Sequence, residues 1–162
     1  GSKKTFVIAS TAHRRKGIPL LLRAFRRLKD FPVELKIAGK PRVRSRLDNV
    51  EYLGYSKDTA ALFTAADFVI HPAKYEPFGQ VISESLACGT PVLISENTGW
   101  SPELPTAYGH VVNGFKVDTW VEAIKNIVSD KFSIPENFAQ QHGLTLEQHM
   151  AKMLEVFHEQ VR

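Results

Sequence analysis

Two glutamates, Glu76 and Glu84, lie eight positions apart in a stretch that is rich in glycine and proline. An ionised carboxylate accepts hydrogen bonds from adjacent hydroxyl groups, so it can hold the diol of a ribose or of a sugar. We expect Glu76 in a loop and Glu84 one turn inside the next helix, on the same face as Gln80. The bare spacing is more typical of a solvated loop acid followed by an acid on a helix surface, so the neighbouring residues have to decide.

The residues between the two glutamates predict an anion site. Gly79 stands where the helix begins, and a glycine lets the backbone approach a ligand closely. The N–H groups of Phe78, Gly79 and Gln80 at the helix start would together bind an anion, and a diphosphate fits there. Glu84 would then reach the ribose of a nucleotide, and Glu76 would meet a sugar.

Lys16 is the second candidate, because it lies at the end of the loop after the first predicted strand and beside the start of a helix. A lysine at a helix N-terminus adds a full positive charge to the partial charge of the backbone. Both charges would stabilise a leaving diphosphate. The alternative is that Lys16 is one more solvated cation among many.

Short apolar runs and longer helical patterns alternate along the chain and must position these residues. The alternation indicates βαβ units. It predicts an α/β fold, a Rossmann-like doubly wound parallel sheet of about six strands with helices on both faces. Ligands of such sheets bind beyond the carboxyl ends of the strands, at the switch in strand order. The predicted strands are residues 6–10, 33–38, 50–53, 68–71, 91–95 and 110–112.

Five helices are predicted between and after these strands. The first has an apolar face opposite a basic one, the second spans residues 56–66 with Ser56 as its cap, and the third spans 79–88 and ends at Gly89. The fourth is lined by apolar residues, and the fifth begins at Thr145. The apolar faces of the first, fourth and fifth helices are Leu21, Leu22, Phe25 and Leu28; Trp120, Ile124, Ile127 and Val128; and Leu146, Met150, Met153, Leu154 and Phe157.

Composition indicates one globular domain, since the 162 residues are 43% hydrophobic and hold no low-complexity tract. Residues 1–2 look like a tag scar, which leaves 3–162 as the domain. The single cysteine, Cys88, cannot form an internal disulfide, and we expect it to be buried and inert. With no leader or membrane-spanning pattern, we expect a cytoplasmic protein.

The charge is unevenly distributed. Residues 1–46 hold 14 Lys and Arg against 2 acids, whereas residues 47–162 hold 7 against 15, so the two parts carry +12 and −8. A basic end of this kind attracts phosphates, anionic lipid or nucleic acid, and composition does not choose among them.

A series of short motifs along nearly the whole chain resembles, in content and in order, the retaining GT-B glycosyltransferases called family 4 or glycosyl transferases group 1. The hallmark of that family is a pair of glutamates separated by seven residues. The matching motifs are Lys16-Gly17, residues 21–25, 35–39, 50–55 and 65–67, Glu76-Pro-Phe-Gly79, residues 84–92 and Gly99-Trp-Ser-Pro-Glu103.

The resemblance implies a role for each matching residue. Lys16 would bind the donor diphosphate, Glu84 the ribose, and Glu76, with the amides of Phe78 and Gly79, the transferred sugar and its phosphate. Lys16 and Glu76 are therefore the expected catalytic residues. Gln80 and Gly99 are expected to line the same site, with base recognition in the loops that contain Gly39 and Tyr55. Neither a cofactor nor a metal is expected, since the nucleotide sugar is the substrate.

Two positions depart from the family pattern. Many members have an arginine where this chain has Thr11, and Arg14 or Arg15 would have to replace it as a phosphate ligand. Trp100 stands where the family often has a second glycine. It either alters the access of the backbone to the ligand or serves in packing.

The resemblance implies the C-terminal, donor-binding half of a GT-B enzyme that transfers a hexose-type sugar to a glycan or lipid-linked acceptor. The donor would be a UDP-, GDP- or ADP-sugar. An N-terminal acceptor domain would lie outside this chain, and the domain alone would be inactive. The basic face would meet that domain or an anionic membrane at the inner face of the cytoplasmic membrane.

Three alternatives stay open at this point. A non-catalytic nucleotide-sugar-binding module is favoured slightly by Thr11. A nucleic-acid-binding domain could use the basic end, although no reading motif is present, and nucleic acid is not an expected partner. A dinucleotide oxidoreductase is disfavoured, because no Gly-x-Gly-x-x-Gly follows the first strand.

Overall fold

The structure, a computed structural model, describes residues 2–9, 17–39, 45–75 and 79–142. In these ranges six strands and five helices follow one another in the predicted α/β order. Their bounds are β1 Lys4–Ala9, α1 Ile18–Arg27, β2 Val33–Ala38, β3 Val50–Gly54, α2 Thr59–Ala65, β4 Phe68–His71, α3 Gln80–Ala87, β5 Val92–Ser95, β6 Gly109–Val112, α4 Val117–Ile127 and α5 Phe138–Gln141.

All six strands are parallel and pair in the order β3-β2-β1-β4-β5-β6. The strands read as nearly continuous apolar runs because both faces of such a sheet are covered. From β1 to β3 successive strands are added towards one edge of the sheet, and from β4 to β6 they are added towards the other edge. The order therefore switches between β1 and β4, which are neighbours in the middle of the sheet. The predicted doubly wound parallel sheet is confirmed.

One face of the sheet is covered by α1 and α4. Side chains from these helices meet β1 and β2 in a single buried cluster, and the fully buried Trp120 is its largest member. The apolar faces predicted for the two helices are buried here, although Leu22 and Val128 are only half-buried. The arginines predicted opposite that face are exposed, namely Arg23, Arg26 and Arg27.

The other face is covered by α2, α3 and α5, which pack on a smaller cluster around Phe63, Ile82, Leu86 and Phe138. Two buried hydroxyl groups fix α3 in this layer. Ser85 Oγ donates to the carbonyl of Thr90 at 2.8 Å, and Thr90 Oγ1 donates to the carbonyl of Phe63 at 2.6 Å. The C-terminal end of α3 is therefore tied to the rest of this face by directional hydrogen bonds as well as by apolar contact.

Three predictions about these elements are corrected or untested. The cap of α2 is Asp58, whose carboxylate accepts from the Ala61 N–H at 2.9 Å, and the predicted cap Ser56 lies outside the helix. Asp58 directly precedes the helix, whereas Ser56 lies two positions earlier and its Oγ accepts from the Asp58 N–H at 3.3 Å. Cys88 is half-buried rather than buried, because it lies at the C-terminal end of α3. The helix predicted from Thr145 lies outside the described residues.

Candidate functional site

The start of α1 and the chain that follows β4 meet at the carboxyl edge of the sheet, where the strand order switches. Gly17 is packed directly against Pro72: a Cβ atom at Gly17 would lie 2.4 Å from the Pro72 carbonyl oxygen. Gly17 also has φ +75°, a conformation that is strained for any residue with a side chain. Only a glycine allows these two segments to approach this closely, and the switch point is where ligands of doubly wound sheets bind.

Gly17 and Gly79 each stand immediately before a helix. Gly17 caps α1 and Gly79 caps α3, both in the left-handed conformation and neither with a side-chain hydrogen bond to the helix start. The first turn of each helix holds no acidic residue. Within the described residues, the partial positive charge of both N-termini is thus not offset by a carboxylate in the first turn, which favours an anion site.

The described part of α3 places two of the predicted binding residues. Gln80 is half-buried in the first turn, and Glu84 is exposed one turn later, on the same face. The buried Gly79 precedes them and accepts a hydrogen bond at its carbonyl from the Ser83 N–H at 3.0 Å. A ligand at this helix start would therefore meet Gln80 first and Glu84 further along the helix.

Six of the other residues considered in the sequence lie outside the described ranges. Two of them, Lys16 and Arg15, immediately precede Gly17, and two more, Glu76 and Phe78, fall in the gap before Gly79. The remaining two are Thr11 and its suggested replacement Arg14. Their placement stays a prediction, and what the structure provides is the position of Gly17 and Gly79, the glycines that follow these two segments.

Trp100, in the loop after β5, packs against the start of α3. A Cβ atom at Gly79 would lie 2.7 Å from Cδ1 of the indole, and the indole Nε1 donates to Ser83 Oγ at 2.8 Å. Of the two alternatives for Trp100, the packing role is the one observed. Its neighbour Gly99 is exposed in the same loop, at the carboxyl edge of the sheet.

The two loops predicted to recognise the base also lie at this edge. They are joined by a hydrogen bond of 2.7 Å from the Gly39 N–H to the Gly54 carbonyl. Gly39 is buried and Tyr55 is 64% exposed, so of these two the tyrosine is the one presented to solvent. A flat exposed ring is suited to stacking on a nucleobase.

Sequence reasoning missed a buried hydroxyl group, that of Ser95, which holds the chain next to the site. Ser95, at the carboxyl end of β5, is fully buried, and its Oγ donates to the Ala73 carbonyl and lies 3.4 Å from the His71 carbonyl. It thereby fixes the chain where it leaves β4 for the loop of Glu76. A serine inside an otherwise apolar strand was the available signal, because a buried hydroxyl needs a partner.

Neither metal binding nor membrane crossing finds support in the described ranges. Within them no group of three or more His, Cys, Asp and Glu residues is arranged to hold a metal ion. No helix in the same ranges is long and apolar enough to cross a membrane. His71 is buried at the end of β4, and His110 contacts Asp130 at 2.7 Å on the surface.

The sequence matches one known protein family. The family model for glycosyl transferases group 1 matches residues 1–142. A protein of Burkholderia thailandensis named as a probable transglycosylase is 44% identical over 90 residues, which cover 56% of this chain and 24% of that protein. The GDP-mannose-dependent alpha-(1-6)-phosphatidylinositol dimannoside mannosyltransferase of Mycobacterium tuberculosis is 32% identical over 104 residues, which cover 59% of this chain and 27% of that protein.

A solved structure shares the fold. The Anabaena protein HepE, crystallised in complex with UDP and glucose, superposes with a TM-score of 0.74 at 23% identity over 95% of this chain and 48% of HepE. The chain thus spans about a quarter of the length of the two curated relatives and about half of HepE.

Proposed function

Because the chain belongs to the glycosyl transferases group 1 family, we propose that it binds a nucleotide sugar between the starts of α1 and α3. The observation that carries the proposal is the pair of glycine-capped helix starts at the switch point, where Gly17 touches Pro72. Two helix N-termini with no acidic residue in the first turn suit a ligand with two adjacent phosphates.

We assign the remaining roles from the family pattern. Lys16 and Arg15 would neutralise the diphosphate, Glu84 would hold the ribose, and Glu76, with the amides of Phe78 and Gly79, would hold the transferred sugar. Glu84 and Gln80 share a face of α3, which supports placing the ribose further along the helix than the phosphates.

In its full-length context we propose a retaining GT-B glycosyltransferase of which this chain is the donor half. The acceptor would attack from the face that the phosphate leaves, and the departing phosphate would take the proton of the acceptor. The protein would supply positioning and charge stabilisation. The acceptor, a glycan or lipid-linked molecule, would be held by a separate N-terminal domain. The basic first third would face that domain or an anionic membrane surface.

A hexose-type donor is supported by the relatives. The mycobacterial relative is named as GDP-mannose-dependent, and HepE was crystallised with UDP and glucose. The two names contain different nucleotides, GDP and UDP. We therefore keep UDP, GDP and ADP as candidates for the nucleotide whose base is held near Tyr55 and Gly39.

Isothermal calorimetry of the chain against UDP, GDP and ADP, and against their sugars, tests the proposal. At least one nucleotide should bind, and Glu84→Gln should weaken it about tenfold or more, because a charged hydrogen bond contributes roughly 1.5–3 kcal/mol. The matched control is Glu122→Gln, an exposed glutamate on α4, which should bind like the wild type. Absence of binding by every nucleotide, with the fold intact by circular dichroism, contradicts the proposal.

A further inference from the structure

Trp100 contacts both ends of the first turn of α3. Its Cδ1 edge lies against Gly79, where an added Cβ atom would come within 2.7 Å, and its Nε1 donates to Ser83 Oγ at 2.8 Å. Gly79 and Ser83 are four positions apart, so one indole spans a full helical turn. The turn it spans is the one whose N–H groups would meet a phosphate.

The indole of Trp100 also packs against the segment after α4. Its ring centroid lies 5.8 Å from that of Phe138 and 5.6 Å from that of His142. Phe138 is 1% exposed, and its ring stacks on His142 at 4.3 Å. Trp100 thus contacts both α5 and the start of α3, and its position is set by aromatic packing rather than by its own loop alone.

We infer that Trp100 is a positioning residue for the diphosphate of the donor, which holds Gly79 and the first turn of α3 in the geometry that binds phosphate. The inference rests on the proposed function, since it concerns the same site. A glycine at position 100 has no side chain with which to make these contacts. Trp100 therefore makes the donor site of this chain depend on α5, through the shared packing with Phe138.

The Trp100–Ser83 hydrogen bond gives the first test. Trp100→Phe keeps a ring against Phe138 but removes the indole N–H, and Ser83→Ala removes the hydroxyl that accepts the hydrogen bond. Each variant should weaken the tightest-binding nucleotide of UDP, GDP and ADP about fivefold, as expected for one hydrogen bond. The double variant should be no weaker than either single one, because the two changes remove the same interaction.

Fluorescence gives a second readout that a purely structural role would not change. The chain has two tryptophans, and Trp120 is fully buried in the cluster under α1 and α4. In the Trp120→Phe variant, the emission of Trp100 should change saturably as the nucleotide is added, with the dissociation constant found by calorimetry. In Trp100→Phe, the emission of Trp120 should stay constant over the same titration.

The outcomes separate this inference from the proposed function. If wild-type chain binds a nucleotide but Trp100→Phe and Ser83→Ala bind it equally well, and Trp100 emission does not respond, the inference is overturned and the proposed function stands. If both variants lower only the unfolding temperature, Trp100 is a packing residue and the inference is likewise overturned. If the wild type binds none of the three nucleotides, both fail.

Discussion

The two faces of the sheet each hold one tryptophan, and the surroundings of the two rings differ. Trp120 is fully buried in the apolar cluster of α1, α4 and the sheet, and its Nε1 donates to the Gly114 carbonyl at 3.0 Å. Trp100 is half-buried, donates to a side-chain hydroxyl and lies against the glycine that caps α3. The first ring fills a core, whereas the second fixes a helix start at the edge of the proposed site.

The same contrast extends to the helices. α1 and α4 are held by a large apolar cluster, and an exposed ion pair between Arg27 and Asp118 joins them. α3 depends in addition on the buried hydroxyls of Ser85 and Thr90. Hydrogen bonds are directional and apolar contacts are not, so these two hydroxyls fix the orientation of α3 on its face more closely than apolar contact alone would.

Removal of the Trp120 ring should have the largest effect on stability and none on the site. Trp120→Ala leaves a cavity in the larger cluster and should lower the free energy of unfolding by about 3–5 kcal/mol in urea titrations. The folded fraction should keep the nucleotide affinity of the wild type. A tenfold loss of affinity in folded protein would show that the two faces are not separable in this way.

Gly79→Ala should combine a moderate loss of stability with a loss of binding. The substitution forces a side chain onto a residue with φ +60° and towards Trp100, at a cost of roughly 1–2 kcal/mol for the backbone alone. We expect nucleotide affinity to fall about tenfold in calorimetry, a change of about 1.4 kcal/mol, because the added Cβ would push Trp100 away from the first turn of α3.

Gly89→Ala is the matched control for this variant. Gly89 has φ +76° at the other end of α3, but no atom lies within 4 Å of an added Cβ. It should show the backbone cost without the loss of affinity. If Gly79→Ala and Gly89→Ala bind nucleotide equally, the start of α3 is not part of the site.

Loss of the α2 cap should have a smaller effect, confined to stability. Asp58→Ala removes the acceptor for the Ala61 N–H and should lower the free energy of unfolding by about 1 kcal/mol. Ser56→Ala, at the position that the sequence suggested as the cap, should change it by less than half of that. Equal effects of the two substitutions in urea titrations would contradict the observed cap.

The smallest effect is on stability at alkaline pH, and it comes from a tyrosine on the same face of the sheet as Trp120. Burial raises the pKa of Tyr52, on β3, above the ordinary value of 10.0. The unfolded phenol then ionises before the folded one, so the wild type should lose stability as the pH rises above 10. Tyr52→Phe should remove that part of the loss, and identical pH profiles of the two proteins would show that the pKa shift has no effect on stability.

The sequence predicted the strands closely because buried parallel strands are short apolar runs between turns. β2 and β4 have the predicted bounds. β3, β5 and β6 differ by one residue at one end, and β1 differs by two residues at its start and one at its end. The cap of α2 was wrong, because Ser56, Asp58 and Thr59 are all plausible caps and only the path of the chain decides among them. Gly89 was correct, since a glycine before a proline-started strand is a strong stop signal.

The candidate site was predictable in its location and only partly in its contacts. The βαβ order predicts that the site lies at the carboxyl edge of the sheet. The predicted start of α3 then places Gly79, Gln80 and Glu84 at that edge. The contact of Trp100 with Gly79 could not be predicted, because it joins residues more than 20 positions apart whose loops meet only in the folded chain. The hydroxyl of Ser95 was missed for the same reason.

The most direct test of the central claim is a map of backbone amide shifts in ¹⁵N-labelled protein titrated with UDP, GDP and ADP. The account predicts saturable shifts for the amides of Gly17, Gly79 and Gln80 and for the indole N–H of Trp100, with the indole N–H of Trp120 unchanged. Shifts confined to the surface groove between β6 and α4, around His110 and Asn126, would contradict it. So would an unchanged spectrum at saturating concentrations of all three nucleotides.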